Sequence, residues 1–256
     1  MVNLPVYIIN YTPLADRLRD TISCVKALQL GNRITIVSPW DRDCICFGAS
    51  EYSTPALWSD GLRCFYYILH ANAIGMKDLA SHEIVAFKSL DPCPWALPRK
   101  LSAGEVSVLL KHYFAISSIA CSDCNYGLIL EDDVRYHSQS RVELQMCFSE
   151  ASALKVDFLD LAGGCNLVPY TDEYCLESSR ISILKIPRTR TAAGYLVSKR
   201  LAVHLANKFM PLIYPIDWHL QYLFMSPGTS FVYAWTTNPP LIHGSESGLV
   251  QSWRSN

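Results

Sequence analysis

The most restrictive feature of the chain is the way it opens. An apolar run at residues 6–9 leads through Asn10-Tyr-Thr-Pro13 into a helical stretch over 14–30, Gly31 acts as a stop, and a second apolar run follows at 34–37. Strand, helix and strand in that order predict a βαβ unit, which requires a parallel sheet whose functional edge lies outside the carboxyl ends of its strands. Segments further along repeat the theme. Ser102-Ala-Gly-Glu105 opens an apolar helical stretch over 106–120, with the S-x-x-E spacing of a capping box. A short strand at 127–130, a helix over 139–154 and a strand at 156–161 suggest another βαβ-like unit. Strands near 181–186, 195–197 and 231–235 and helices near 199–209 and 217–224 complete the pattern. Between Ser38 and Lys100 five prolines break the periodicity, and one helix is expected around 61–73. No repeat or linker divides the 256 residues, so one α/β domain spanning 1–256 is expected.

Composition narrows the function classes. Half of the residues are hydrophobic and 18% are charged, which places the chain far from disorder. A formal net charge of −1 without a run of like charges gives no field for a polyanion, so nucleic acid is not an expected partner. No stretch reaches the length of a membrane span, and the amino terminus reads as a strand instead of a signal peptide. The ten cysteines are therefore expected to be mostly free thiols in a reducing, cytoplasmic setting. Cys121-Ser-Asp-Cys124 lacks the second Cys/His pair of a zinc site.

The chemistry concentrates at Glu131-Asp-Asp133, directly after the strand at 127–130. Three adjacent carboxylates raise one another's pKa unless a cation is present, and Mg²⁺ or Mn²⁺ would resolve the cost. On an extended segment Glu131 and Asp133 would point one way and Asp132 the other. The alternative is a solvated acidic turn. Glu105 and His112 share a helix face, with the cap explaining Glu105 and a buried structural role competing for His112.

Leu101-Ser-Ala-Gly-Glu-Val-Ser-Val-Leu-Leu-Lys-His112 followed by Leu130-Glu-Asp-Asp-Val134 resembles the core of glycosyltransferase family 25. The opening Ile9-Asn10-Tyr11 with Arg17, the strand Gly194-Tyr-Leu-Val-Ser198, the pair Ile216-Asp217 and Pro239-Pro-Leu-Ile-His243 match further family segments in order. Tyr11 replaces a usual Leu, Ser107 stands where Gly is common, and Lys111 precedes His112 where Ser is usual. The resemblance implies a GT-A type, Rossmann-like central mixed, mostly parallel sheet flanked by helices. It further implies Mn²⁺ (or Mg²⁺) and transfer of a hexose, galactose or glucose, from a UDP-sugar donor to an oligosaccharide or glycoconjugate acceptor with inversion. Lipopolysaccharide or viral glycan biosynthesis would fit, with no transmembrane segment and with peripheral membrane association compatible.

On this resemblance the metal ligands are Glu131, Asp133 and His243. Asn10, Tyr11, Arg17, Glu131 and Asp132 would face the donor, and Asp217 would be the general base, with His219 and Asp172 in reserve. A helix N-cap is the competing reading of Asp217, and a loop histidine that of His243. A nucleotidyltransferase also uses strand-end acids and a metal, but it carries a Gly-rich, Lys-containing loop after its first strand, which Asn10-Tyr-Thr-Pro13 is not. A non-catalytic glycan-binding relative is the remaining rival.

Overall fold

The computed structural model describes residues 4–47 apart from 32, 67–69, 101–164 apart from 138, 167, 174–210 apart from 179, 212, 214–225 and 230–243. In chain order the elements are β1 (Pro5–Ile9), α1 (Ala15–Leu28), β2 (Arg33–Val37), β3 (Ile45–Phe47), β4 (Tyr67–Leu69), α2 (Ala103–Ala120), β5 (Tyr126–Glu131), β6 (Arg135–Tyr136), α3 (Ser140–Ala153), β7 (Phe158–Asp160), β8 (Tyr174–Glu177), β9 (Ile181–Leu184), β10 (Gly194–Ser198), α4 (Lys199–Lys208), α5 (Ile216–Phe224), β11 (Tyr233–Thr236) and β12 (Leu241–Ile242).

Alternation along the strands sorts the apolar side chains onto two faces. Tyr7 and Ile9 of β1, Ile129 of β5 and Tyr195 and Val197 of β10 pack with α2, α4 and α5. Val6 and Ile8, Leu128 and Leu130, and Leu196 face α1 and α3. The result is a three-layer α/β arrangement around an eight-stranded sheet of order β2-β1-β5-β10-β7-β11-β9-β8. The opening βαβ unit is present, with β1 and β2 parallel and in direct register. β5 lies parallel on the other side of β1, Ile9 opposite Glu131. Strands β2, β1, β5, β7, β11 and β8 run one way, and β10 and β9 run the other, giving a mixed, mostly parallel, Rossmann-like sheet.

Local chemistry explains several boundaries. Ser102 Oγ accepts from the Glu105 amide at 3.3 Å and the Glu105 carboxylate accepts from the Ser102 amide at 2.8 Å, so the expected capping box starts α2. Helix α1 stops earlier than expected, because Gln29 takes the left-handed cap at φ 51°. Gly31 has a different duty, since a Cβ there would lie 2.2 Å from the Leu4 carbonyl oxygen.

Two expectations need correction. The unit from β5 through α3 to β7 is interrupted in space, because β10 inserts antiparallel between the two strands. Within the expected helix around 61–73, Tyr67–Leu69 instead form a strand antiparallel to β3, as aromatic and β-branched side chains favour; the remainder of that stretch lies outside the described residues. No helix among the described residues is long and apolar enough to cross a membrane. Cys24, Cys44, Cys121, Cys124 and Cys147 carry free thiols. Burial pushes the Cys24 and Cys147 thiols up to about 12, which makes them inert.

Candidate active site

Because β1 and β5 are parallel neighbours, their carboxyl ends deliver Asn10 and Glu131 to one cleft. Its wall includes Tyr11, Arg42, Ser107 and Lys111 together with Asp132 and Asp133. The strand ends at Glu131, and Asp132 and Asp133 form a turn, closed by the Val134 amide on the Glu131 carbonyl at 3.3 Å. The turn, and not strand alternation, divides the three acids.

Asp132 is turned inward. Its Oδ2 accepts from Asn10 Nδ2 at 3.0 Å and from the Tyr11 amide at 3.1 Å, and its carbonyl accepts from Thr21 Oγ1 at 2.8 Å. Desolvation raises its pKa, opposed chiefly by the Arg17 charge. Asp132 therefore ties the end of β5 to the end of β1. Arg17 points at the acids, with its guanidinium 2.6 Å from Asp133 Oδ2 and 3.6 Å from Asp132 Oδ1. The sequence reading aimed Arg17 at the nucleotide; in the structure two buried carboxylates hold it.

Glu131, Asp133 and His243 come together. Each offers one ligand atom, and these atoms lie within 4.8 Å of one another. His243 Nε2 is 3.9 Å from Glu131 Oε2 and 3.7 Å from Asp133 Oδ2, placed there by β12, which pairs with β6 just beyond the acidic turn. Asp133 Oδ1 is buried without a hydrogen-bond partner. Two carboxylates, one of them with an orphaned oxygen, and an imidazole are a donor set suited to Mn²⁺ or Mg²⁺. Among the described residues no other group of three or more His, Cys, Asp or Glu side chains gathers in this way, and Cys121 and Cys124 take part in none.

Lys111 and Tyr11 shape the part of the cleft next to the ends of β1 and β2. Lys111 Nζ, buried under α2, donates to the Asn10 carbonyl at 2.6 Å and to Asp41 Oδ1 at 2.5 Å, which joins the ends of β1 and β2. Burial lowers its pKa, and Asp41 counters that shift. The Tyr11 hydroxyl donates to Asp43 Oδ2 at 2.8 Å, and the Arg42 guanidinium lies 4.7 Å from the centre of the Tyr11 ring.

Asp217 sits in the first turn of α5 but does not cap it. Its Oδ1 accepts from the Ala192 amide at 2.6 Å and its carbonyl from Thr189 Oγ1 at 2.9 Å, so the helix start anchors the loop entering β10. Gln221 extends the anchor by accepting from the Thr189 amide at 3.0 Å and donating to the Pro187 carbonyl at 2.7 Å. The Asp217 charge also reaches His112, whose pKa burial lowers to about 3, and Tyr195. His219 is fully buried with Nε2 on the Phe209 carbonyl at 2.8 Å, a structural position. Asp172 lies outside the described residues.

Sequence reasoning missed Lys111, Tyr195, Asp160 and Arg190. Asp160, buried at the end of β7, accepts from Arg190 at 2.8 Å and from the Gly163 amide at 2.9 Å, and the Arg190 guanidinium lies 4.8 Å from the centre of the Trp235 ring. Gly163 follows at φ 66° and Gly164 at φ 149°, backbone that side chains other than glycine rarely adopt. The available signal was an acid inside Phe158-Leu-Asp160-Leu161 and a Lys-His pair inside an apolar helix.

A family model described as Glycosyltransferase family 25 (LPS biosynthesis protein) matches residues 68–220, more than half of the chain. The match takes in α2, the acidic turn, β10 and Asp217, while Asn10, Arg17 and His243 fall outside it. A search of curated proteins finds no match.

Proposed function

The chain belongs to glycosyltransferase family 25, and we propose that it transfers a hexose, galactose or glucose, from a UDP-sugar to a hydroxyl of an oligosaccharide or glycoconjugate acceptor, with inversion, on a GT-A type sheet. The observation that carries this reading is the shared cleft at the ends of β1 and β5. Asn10, Tyr11, Glu131 and Asp133 line it, and His243 gathers with Glu131 and Asp133. Mn²⁺ or Mg²⁺ would be held by those three side chains and would supply Lewis-acid stabilisation of the departing diphosphate.

The remaining roles fall to the chain's own groups. Lys111 and Asp132 fix the backbone at Asn10 and Tyr11, so the wall that meets the nucleoside is set before the donor arrives. Arg17 balances the acidic turn and keeps Asp132 and Asp133 in place. Asp217 takes the proton of the acceptor hydroxyl. The oxygen forms its bond to the anomeric carbon, and the bond to the diphosphate breaks with its electron pair leaving on UDP.

The test is UDP release from a panel of UDP-sugars, with and without acceptor glycans. Release that needs added Mn²⁺ or Mg²⁺ and ceases in excess EDTA is expected; absence of turnover with every UDP-sugar would overturn the donor assignment. Asn10→Ala should weaken UDP binding about tenfold, in calorimetry with and without Mn²⁺, because one hydrogen bond that sets the Asp132–Tyr11 contact is lost. Unchanged UDP affinity in both conditions would remove the nucleoside from this end of the cleft.

A further inference from the structure

Helix α2 places His112 beneath the acidic turn, wholly buried, with Nε2 at 3.5 Å from Glu131 Oε1. On the opposite side of the ring, Nδ1 lies 2.8 Å from the hydroxyl of Tyr195, another fully buried residue, on β10. These contacts assign the proton. A carboxylate accepts only, so the nitrogen facing Glu131 carries the hydrogen, and the Tyr195 hydroxyl donates to the other. The two oxygens of Glu131 are thereby divided, Oε1 toward His112 and Oε2 toward His243 and the ligand group.

We propose that His112, held in one tautomer by Tyr195, is a positioning residue that orients the Glu131 carboxylate to receive the divalent cation. The inference rests on the cation reading of Glu131, Asp133 and His243 given above. Carboxylates that bind a metal depend on such outer hydrogen bonds for orientation, and losing one typically costs tenfold to a hundredfold in affinity. His112 Nε2 is buried without a hydrogen-bond partner among the described residues, and the Glu131 carboxylate at 3.5 Å is the polar group it faces.

The experiment is Mn²⁺ titration of the full chain without nucleotide, followed by the loss of the free-ion signal in electron paramagnetic resonance, beside thermal melts of every variant. Tyr195→Phe, nearly the same shape, should weaken Mn²⁺ about tenfold while still melting cooperatively, at a somewhat lower temperature because His112 Nδ1 loses its partner. His112→Leu should weaken it about tenfold to a hundredfold, and His112→Gln, which keeps an N–H donor, should recover part of the loss. Asp133→Ala is the control for the site itself. If the wild type binds Mn²⁺ and Asp133→Ala does not, while Tyr195→Phe and both His112 variants bind like the wild type, the positioning role is overturned and the cation site stands. If the wild type and Asp133→Ala bind Mn²⁺ alike, or neither binds, the cation reading falls and this inference falls with it. Should His112→Leu fail to fold, Tyr195→Phe decides alone.

Discussion

Asp133→Ala should lower transfer by about a thousandfold or more while leaving the protein folded. Asp133 lies 3.7 Å from His243, with Oδ2 also paired to Arg17 at 2.6 Å and Oδ1 buried and unpartnered, so under the proposed reading it would be a direct ligand of the cation. A cation that stabilises the leaving diphosphate contributes several kcal/mol, and about 4 kcal/mol is a factor of roughly a thousand in rate. The fold should tolerate the change because the substitution removes an orphaned buried oxygen and a like charge that raises the Asp132 pKa. Arg17 keeps Asp132 as a partner at 3.6 Å. Turnover at saturating Mn²⁺, measured beside a thermal melt, checks the expectation. A variant with wild-type turnover, or a wild type that works at full rate in excess EDTA, would take the cation out of the mechanism.

The second large effect is expected from Asp217→Asn, with turnover falling about a hundredfold to ten-thousandfold, the usual contribution of a positioned base. Asparagine is chosen because Asp217, the proposed base, also has a structural duty. Its Oδ1 holds the Ala192 amide at 2.6 Å, and the asparagine carbonyl can still accept there, so the loop entering β10 stays anchored and the lost property is proton acceptance. The melting temperature and the KM for the donor should change little. The neighbouring imidazoles offer no substitute, since His112 and His219 are both fully buried and beyond the reach of an acceptor. Turnover within about threefold of wild type would place the base elsewhere and leave Asp217 as an anchor only.

What the sequence reveals and what it hides follow a physical division. The opening βαβ unit and the cap of α2 are visible because each is written in contiguous residues, as apolar spacing, an S-x-x-E cap or a strand end. A parallel sheet gathers the carboxyl ends of its strands along one edge, but the adjacency of β1 and β5, which makes Asn10 and Glu131 neighbours, is set by the strand order in space. Strand direction is different. Alternation in Gly194-Tyr-Leu-Val-Ser198 announces a strand and carries no sign for which way it runs, so the antiparallel insertion of β10 was hidden. Asp217 after Pro215 has the local look of a cap, yet its partner is Ala192, 25 positions away. Arg17 looks like a ligand-facing cation until the buried carboxylates that hold it are seen. Lys111 and His112 belong to the same class: their partners Asn10, Asp41, Glu131 and Tyr195 come from other elements, and no local period encodes such pairings.

The reversed strand has a mechanical consequence. β10 is bonded along one edge to β5, which carries the acidic turn, and along the other to β7, whose end is clamped to the entering loop through Asp160 and Arg190. Many two-sided enzymes admit and release substrate by rocking two lobes about a hinge, which needs a seam where few bonds cross. Here the seam would have to run through a laced, buried strand at the middle of the sheet. Opening the sheet along that line would break the β10 ladders to both neighbours at once.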